Sequence, residues 1–164
     1  MKSMILIIFI FLCCDVKKQD HSNSEIYISA GDGFIVKGRE ALKKHYFFQA
    51  LAYADSADKY SLEKANVYFF KGRIYSELGR FEEAEKSYYK VLNDFPGYKG
   101  AWNNLGNNAF RQQRFKEAID FYSKEKVYNN EPIPLRAMGR AFVELGEIDS
   151  AKIYFQRAIR ADPS

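Results

Sequence analysis

Apolar and small residues along the middle of the chain recur at intervals that alternate between three and four positions. Between residues 65 and 98 these positions are Tyr68, Gly72, Tyr75, Gly79, Phe81, Ala84, Tyr88, Val91 and Pro96. Such spacing places one side chain per turn on the same face, which predicts two amphipathic helices. Pro96 ends the second helix, because its ring removes a backbone hydrogen-bond donor.

The same pattern returns along the chain with a nearly constant period. One glycine and one alanine mark each repeat: Gly38 and Ala50, Gly72 and Ala84, Gly106 and Ala118, Gly139 and Ala151. Both series step by 34, 34 and 33 residues, so each repeat keeps a twelve-residue interval between its glycine and its alanine. A period of this length indicates stacked helical pairs that form one solenoid.

The small residues predict where the two helices of a pair meet. Each glycine removes a side chain from the first helix, and each alanine does so from the second, so the helices can approach closely. Large aromatic rings then fill the flanks, as with Phe115 at the start of a second helix and Tyr122 seven positions later on the same face.

The third and fourth repeats add residues that carry a family resemblance. These are Trp102, Leu105, Gly106, Phe115, Ala118 and Tyr122, then Met138, Gly139, Phe142, Gly146, Ala151, Phe155, Ala158 and Pro163. With these motifs the chain resembles tetratricopeptide repeat proteins from residue 31 to residue 164. The resemblance implies an all-α, right-handed superhelical solenoid of four helix-turn-helix repeats, at 31–64, 65–98, 99–131 and 132–164.

Two repeats depart from the family pattern. The first is degenerate, with Ala41 and Ala54 at positions that are usually aromatic and Leu62 where proline is usual. Terminal repeats are often atypical. In the third repeat Glu125 stands where the family usually has a small residue, and Pro132 lies later than the usual proline of the repeat. These departures predict a local irregularity before the fourth repeat.

The resemblance also implies where a partner binds, because the first helix of each pair lines the concave side of such a solenoid. The expected partner-binding residues are Arg39, Phe69, Arg73, Asn103, Asn107, Arg136 and Arg140. Arg136 and Arg140, with Asn107 on a neighbouring helix, resemble the clamp by which some repeats hold a peptide's terminal carboxylate, since guanidinium groups bind carboxylates bidentately. Two residues differ from that clamp, since Phe69 stands where a basic residue is expected and Arg73 where an asparagine is expected. The ligand that we expect is therefore an acidic or carbonyl-rich protein or peptide, without a requirement for a free C-terminus.

The last helix has no further helix after it in the sequence to cover its outer face. Ile148, Ile153, Phe155 and Ile159 are the large apolar residues that we expect there. The open alternatives are self-association, a docked partner, or a marginal final helix.

The N-terminus predicts export. Met1-Lys2-Ser3 precedes an apolar run from Met4 to Leu12, whose nine residues fall short of the about twenty that a membrane-spanning helix needs. The following cysteines resemble a bacterial lipobox, with 1–13 as signal peptide, Cys14 rather than Cys13 as the acylated residue, and 14–30 as a polar tether. We therefore expect a lipid-anchored protein of the bacterial cell envelope. A secreted or periplasmic protein with an ordinary signal, and a short uncleaved anchor, remain the alternatives.

Composition narrows the function further. The 25 basic and 21 acidic residues are spread along the chain, which argues against a nucleic-acid-binding surface. Two histidines, His21 and His45, and the absence of recognisable catalytic spacing predict no enzyme activity, no metal and no cofactor. We expect a non-enzymatic protein-interaction scaffold. The alternatives are an envelope assembly factor for outer-membrane, pilus or secretion proteins, and an accessory subunit of an enzyme.

Overall fold

The computed structural model describes residues 31–61, 63–129 and 133–161, and these residues form eight helices joined by short turns. Helix α1 covers residues 31–43. The others are α2 (Phe47–Tyr60), α3 (Lys64–Glu77), α4 (Phe81–Asp94), α5 (Ala101–Arg111), α6 (Phe115–Asn129), α7 (Ile133–Glu144) and α8 (Ile148–Ala161). The all-α expectation is confirmed for this part of the chain.

Several sequence-based predictions lie outside the described residues. These are the signal peptide at 1–13, the acylated Cys14, the tether at 14–30, and the positions of Leu62, Pro132 and Pro163. Among the helices that the structure does describe, none is both long and apolar enough to cross a membrane.

One turn geometry joins the two helices in each of the four pairs. The backbone N–H groups of Tyr46, Arg80, Arg114 and Glu147 each donate to the carbonyl oxygen five residues earlier. This pattern is typical of a helix that ends in a left-handed residue. That residue is Gly79 or Gly146 in two pairs, but His45 and Gln113 in the others, with φ of 60° and 61°. The degenerate first repeat therefore turns as the others do.

Each repeat glycine in α3, α5 and α7 faces an aromatic ring sixteen positions later. A Cβ built on Gly72 would lie 2.6 Å from Cε1 of Tyr88, and one on Gly139 would lie 2.8 Å from Cε1 of Phe155. Tyr122 stands in the same way against Gly106. The ring of the second helix thus occupies the space that a side chain on the first would need.

The chain divides into two compact units, which meet in sequence at Val67 and Tyr68. In the first unit Ala50, Ala54 and Ala57 form the buried stripe of α2, and Phe34 stacks on Tyr60 with ring centroids 5.8 Å apart. The core of the second unit runs through successive helices from α4 to α7. Its members are Ala84, Tyr88, Leu92, Ala101, Leu105, Ala109, Ala118, Phe121, Tyr122 and Met138.

The outer face of α8 carries exposed apolar side chains. Ile148, Ile153 and Ile159 are all exposed, whereas Phe155 is half-buried against Gly139. Self-association through this face stays a prediction.

Candidate functional site

A cavity of about 280 Å³ is lined by residues of α3, α5 and α7 that all belong to the second unit. Helix α6 adds one tyrosine to its wall. The lining residues are Ser76, Glu77, Asn104, Asn107, Asn108, Phe110, Arg111, Tyr122, Ala137 and Arg140. We call this cavity the amide pocket, because three asparagines line it.

Two asparagines of the amide pocket are oriented by neighbouring groups. The Tyr122 hydroxyl donates to Oδ1 of Asn107 at 2.9 Å, which leaves the Nδ2 end of that amide for a ligand. Nδ2 of Asn104 donates to the Gly100 carbonyl at 2.9 Å, so its Oδ1 end is the one left. Because each amide is held at one end, its other end is presented in a defined direction.

Asn108 is the most buried of the three, at 1% exposure. Its Nδ2 is buried and has no hydrogen-bond partner among the described residues. A buried donor without a partner costs about 1–3 kcal/mol. Asn108 also lines the amide pocket, although its Nδ2 is not accessible to solvent in this arrangement.

Two arginines of the pocket are held against aromatic rings. The Arg140 guanidinium lies 5.1 Å from the centroid of Phe110, and that of Arg111 lies 4.9 Å from Phe81. Arg111 also donates from Nη1 to the Ser76 carbonyl at 2.6 Å. Stacking orders the guanidinium plane before a ligand arrives, which lowers the entropy lost on binding.

The charge balance of the lining is positive, with two arginines against one carboxylate, Glu77. Burial raises the pKa of Tyr122 to about 12, although the positive charge of Arg140 acts in the opposite direction. The tyrosine therefore keeps its proton at physiological pH and continues to donate to Asn107. The pocket accordingly presents mainly hydrogen-bond donors.

The structure brings only two of the predicted partner-binding residues into the lining, Asn107 and Arg140. Phe69 is half-buried instead, with its ring centroid 5.1 Å from that of Tyr98. Asn103 is half-buried at the start of α5, and Arg73 and Arg136 are exposed outside the lining. Arg39 is exposed on α1, in the first unit. A role for these five in partner binding stays a prediction.

Six polar members of the pocket were not among the partner-binding residues predicted from the sequence: Ser76, Glu77, Asn104, Asn108, Arg111 and Tyr122. The sequence does contain a signal for two of them. The pairs Asn103-Asn104 and Asn107-Asn108 are one helical turn apart, which places two amides above two others on α5. The repeat pattern indicates only a packing role for the ring of Tyr122. Its hydroxyl also orients Asn107, a role that only the structure shows.

The pocket supplies the chemistry of recognition by hydrogen bonds and charge. In the described ranges no group of three or more His, Cys, Asp or Glu side chains could hold a metal ion. An acceptor-rich group such as a carboxylate matches the donors of Asn107 and Arg140.

Comparisons with known proteins identify relatives of the whole repeat region. The chain is 26% identical over 129 residues to the CTR9 homolog of Arabidopsis thaliana, which corresponds to 77% of this chain but only 12% of that protein. The solved structure of PilF from Pseudomonas aeruginosa is similar at 19% identity and a TM-score of 0.74, with 84% of this chain and 63% of that chain covered. The tetratricopeptide protein TTC0263 of Thermus thermophilus is similar at 16% identity and a TM-score of 0.71, with 82% and 76% covered. The chain thus spans a small part of the CTR9 homolog and less than two thirds of PilF. At these sequence identities, the similarity to the two solved structures shows the fold alone.

The family models agree with the fold. The tetratricopeptide repeat model matches residues 36–98 and 69–128, and a second tetratricopeptide repeat model matches residues 137–164. These matches cover more than half of the chain and include the helix pairs that form the amide pocket. The chain is an all-α solenoid and belongs to the tetratricopeptide repeat family.

Proposed function

We propose that this protein is a non-enzymatic interaction scaffold that binds an acidic segment of a partner protein in the amide pocket. The observation that carries the proposal is a cavity whose lining combines two arginines with Asn107, whose Oδ1 is engaged by Tyr122 and whose Nδ2 is left for a ligand. Repeats of this family are typically interaction modules without catalysis, which supports the same conclusion.

A carboxylate side chain of the partner fits the donors of the pocket. Arg140 offers a planar fork whose orientation is set by Phe110, and a carboxylate can accept two hydrogen bonds from it. The Nδ2 group of Asn107 supplies a further donor, because the Oδ1 of that amide already accepts from Tyr122. Glu77 opposes a second negative charge, so we expect selectivity for one carboxylate at this position.

Two neighbouring arginines make the proposal testable with a matched control. Arg140 lines the pocket and Arg136, one turn earlier on α7, does not. Recognition through the pocket predicts that Arg140→Ala weakens binding of acidic peptides while Arg136→Ala leaves it nearly unchanged. The clamp resemblance predicts instead that both substitutions weaken binding.

The experiment uses extended peptides that contain single Asp or Glu residues, each prepared with an amidated and with a free C-terminus, and measures affinity by fluorescence anisotropy. We expect acidic peptides to bind and their Asn or Gln counterparts to bind at least about tenfold more weakly, the loss of one charge-assisted hydrogen bond. If the Arg140→Ala variant keeps the affinity of the unmodified protein, the pocket is not the binding site. If free C-termini alone bind, the terminal clamp is the correct account.

We further propose that the scaffold is anchored in a bacterial envelope through acylated Cys14. The support is the apolar run that ends beside Cys13 and Cys14, the two cysteines of the chain. More than one acyl chain is needed for stable attachment, and a lipoprotein carries several. Mass spectrometry of the mature N-terminus tests this directly: a diacylated or triacylated Cys14 is expected. An intact Met1 contradicts it, and a cleaved but unmodified N-terminus indicates secretion.

A further inference from the structure

A second surface of the protein, none of whose residues lines the amide pocket, exposes large apolar side chains. Phe95 is 55% exposed in the turn after α4, and Val127 and Tyr128 are 80% and 51% exposed near the end of α6. Exposed apolar groups close together mark a site of contact with a partner or a membrane.

Specific contacts link the turn after α4 and the end of α6 around Trp102, and Val127 lies one helical turn after Lys124 on α6. The Trp102 indole donates from Nε1 to the Pro96 carbonyl at 2.7 Å, so the turn beside Phe95 is tied to the ring. The ring of Tyr128 lies along the same turn, where a Cβ on Gly97 would be 3.6 Å from its Cδ1. Lys124 places Nζ 4.6 Å from the Trp102 ring centroid. We call Phe95, Trp102, Lys124, Val127 and Tyr128 the aromatic edge.

The aromatic edge is positively charged. The segments that form it, 95–102 and 121–129, contain Lys99, Lys124 and Lys126 and a single acidic residue, Glu125. The carboxylate of Glu125 is buried and accepts hydrogen bonds from the backbone of α5, so it faces inward. The acids that directly precede the two segments are Asp94 and Asp120, and both are exposed. Around the exposed apolar groups, three lysines therefore stand against two exposed carboxylates.

We propose that the aromatic edge docks on an anionic lipid surface. Tryptophan and tyrosine favour the headgroup region because their rings are apolar and their N–H or O–H groups are polar. Phe95 and Val127 protrude and can enter the acyl boundary, while the lysines are attracted to anionic headgroups. The proposal requires neither the amide pocket nor acylation of Cys14.

A lipid surface suits this edge better than a folded protein does. A stable protein interface uses about 20–30 residues on each side and needs matching shape. The aromatic edge offers a few protruding side chains, which insert into a soft bilayer boundary without a complementary cavity. An acidic protein partner is the alternative, and the experiment below separates the two.

The test uses the intrinsic fluorescence of the full chain, because Trp102 is its single tryptophan. The protein is mixed with vesicles of phosphatidylcholine alone or with phosphatidylglycerol, each with and without brominated lipid as quencher. The apolar N-terminal run can hold the chain on any vesicle, but it does not by itself bring Trp102 into contact with lipid. Quenching of Trp102 therefore reports on the aromatic edge itself.

We expect quenching and a blue shift of Trp102 emission on anionic vesicles, weakened by salt and nearly absent on phosphatidylcholine. Phe95→Ser with Val127→Ser should weaken this binding by about tenfold or more, and Lys124→Gln by about fivefold. Val143→Ser is the matched control, because Val143 is 45% exposed on α7, outside the edge. It should bind as the unmodified protein does. Circular dichroism verifies that every variant is folded.

Two outcomes overturn the proposal. If the chain sediments with anionic vesicles while Trp102 emission stays unchanged, the N-terminal segment alone contacts the membrane. If quenching persists in the double serine variant, these side chains are not the contact. In the first case, a photo-crosslinker at position 127 that captures an acidic protein in cells would reassign the edge to a protein partner.

Discussion

The carboxylate of Glu125 in α6 accepts a hydrogen bond of 2.8 Å from the backbone N–H of Gly100, at the start of α5. Its other oxygen accepts from the N–H of Asn103 at 3.1 Å. Gly100 is the N-cap of α5 and has no side chain that could cap the helix itself. Glu125 therefore supplies from the next helix the acceptor that a serine or aspartate would supply locally. Its negative charge also lies at the positive end of the helix dipole.

Replacing Glu125 should destabilise the fold. We expect Glu125→Ala to lower the free energy of unfolding by about 2–3 kcal/mol, since it leaves two part-buried backbone donors without their acceptor. Glu125→Gln keeps one acceptor but turns its NH₂ group toward the other backbone donor and loses the charge, so it should cost about 1–2 kcal/mol. Urea denaturation followed by circular dichroism measures both. Glu82→Ala, at an exposed position of α4, is the control and should stay within about 0.5 kcal/mol.

Substitution of Gly106 tests the contact between helix and ring. A side chain there would enter the space of Tyr122, so Gly106→Leu should cost about 1–3 kcal/mol or more. Gly33 in α1 offers the matched control, because a Cβ at that position meets nothing within 4 Å. Gly33→Ala should stabilise by about 0.5–1 kcal/mol, the usual gain in a helix. Equal effects at both glycines would contradict the role assigned to Tyr122.

The turn between α5 and α6 contains avoidable strain. Gln113 has φ of 61°, where a side chain other than glycine costs about 1–2 kcal/mol, whereas the equivalent Gly79 has φ of 72° without that cost. Gln113→Gly should therefore raise the melting temperature, although greater freedom of the unfolded chain offsets part of the gain. Gly79→Gln should lower it. A fall in melting temperature for both variants would argue that Gln113 makes a compensating contact.

Alkaline pH should destabilise the protein through two buried tyrosines. Burial raises the pKa of Tyr88 and of Tyr122 to about 12. The unfolded chain releases these protons near pH 10 and the folded chain near pH 12, so unfolding releases protons between those values and stability falls as pH rises. Each tyrosine contributes at most about 1.4 kcal/mol per pH unit in that window. Unfolding midpoints at pH 9, 10 and 11 should decline less steeply for Tyr88→Phe.

The repeat architecture could be predicted from local information. Gly72, Gly106 and Gly139 recur with the period of one helix pair, and each spacing is set by residues within about 35 positions. The family matches and the eight described helices agree with that prediction. The candidate site was predicted in part, since only Asn107 and Arg140 of the expected binding residues line the pocket.

By itself the sequence determined the helices, their pairing and the small residues at which they meet, because periodicity and chain length dictate these features. Only the tertiary structure decided the rest. Tyr122 orients Asn107, and Glu125 caps α5. Both contacts join groups on different helices, so they exist only because the stacked helices bring these groups within hydrogen-bond distance. Closure of the hairpin likewise imposed the left-handed conformation on Gln113 despite its side chain. Such contacts depend on three-dimensional position, which a one-dimensional pattern of polar and apolar residues does not specify.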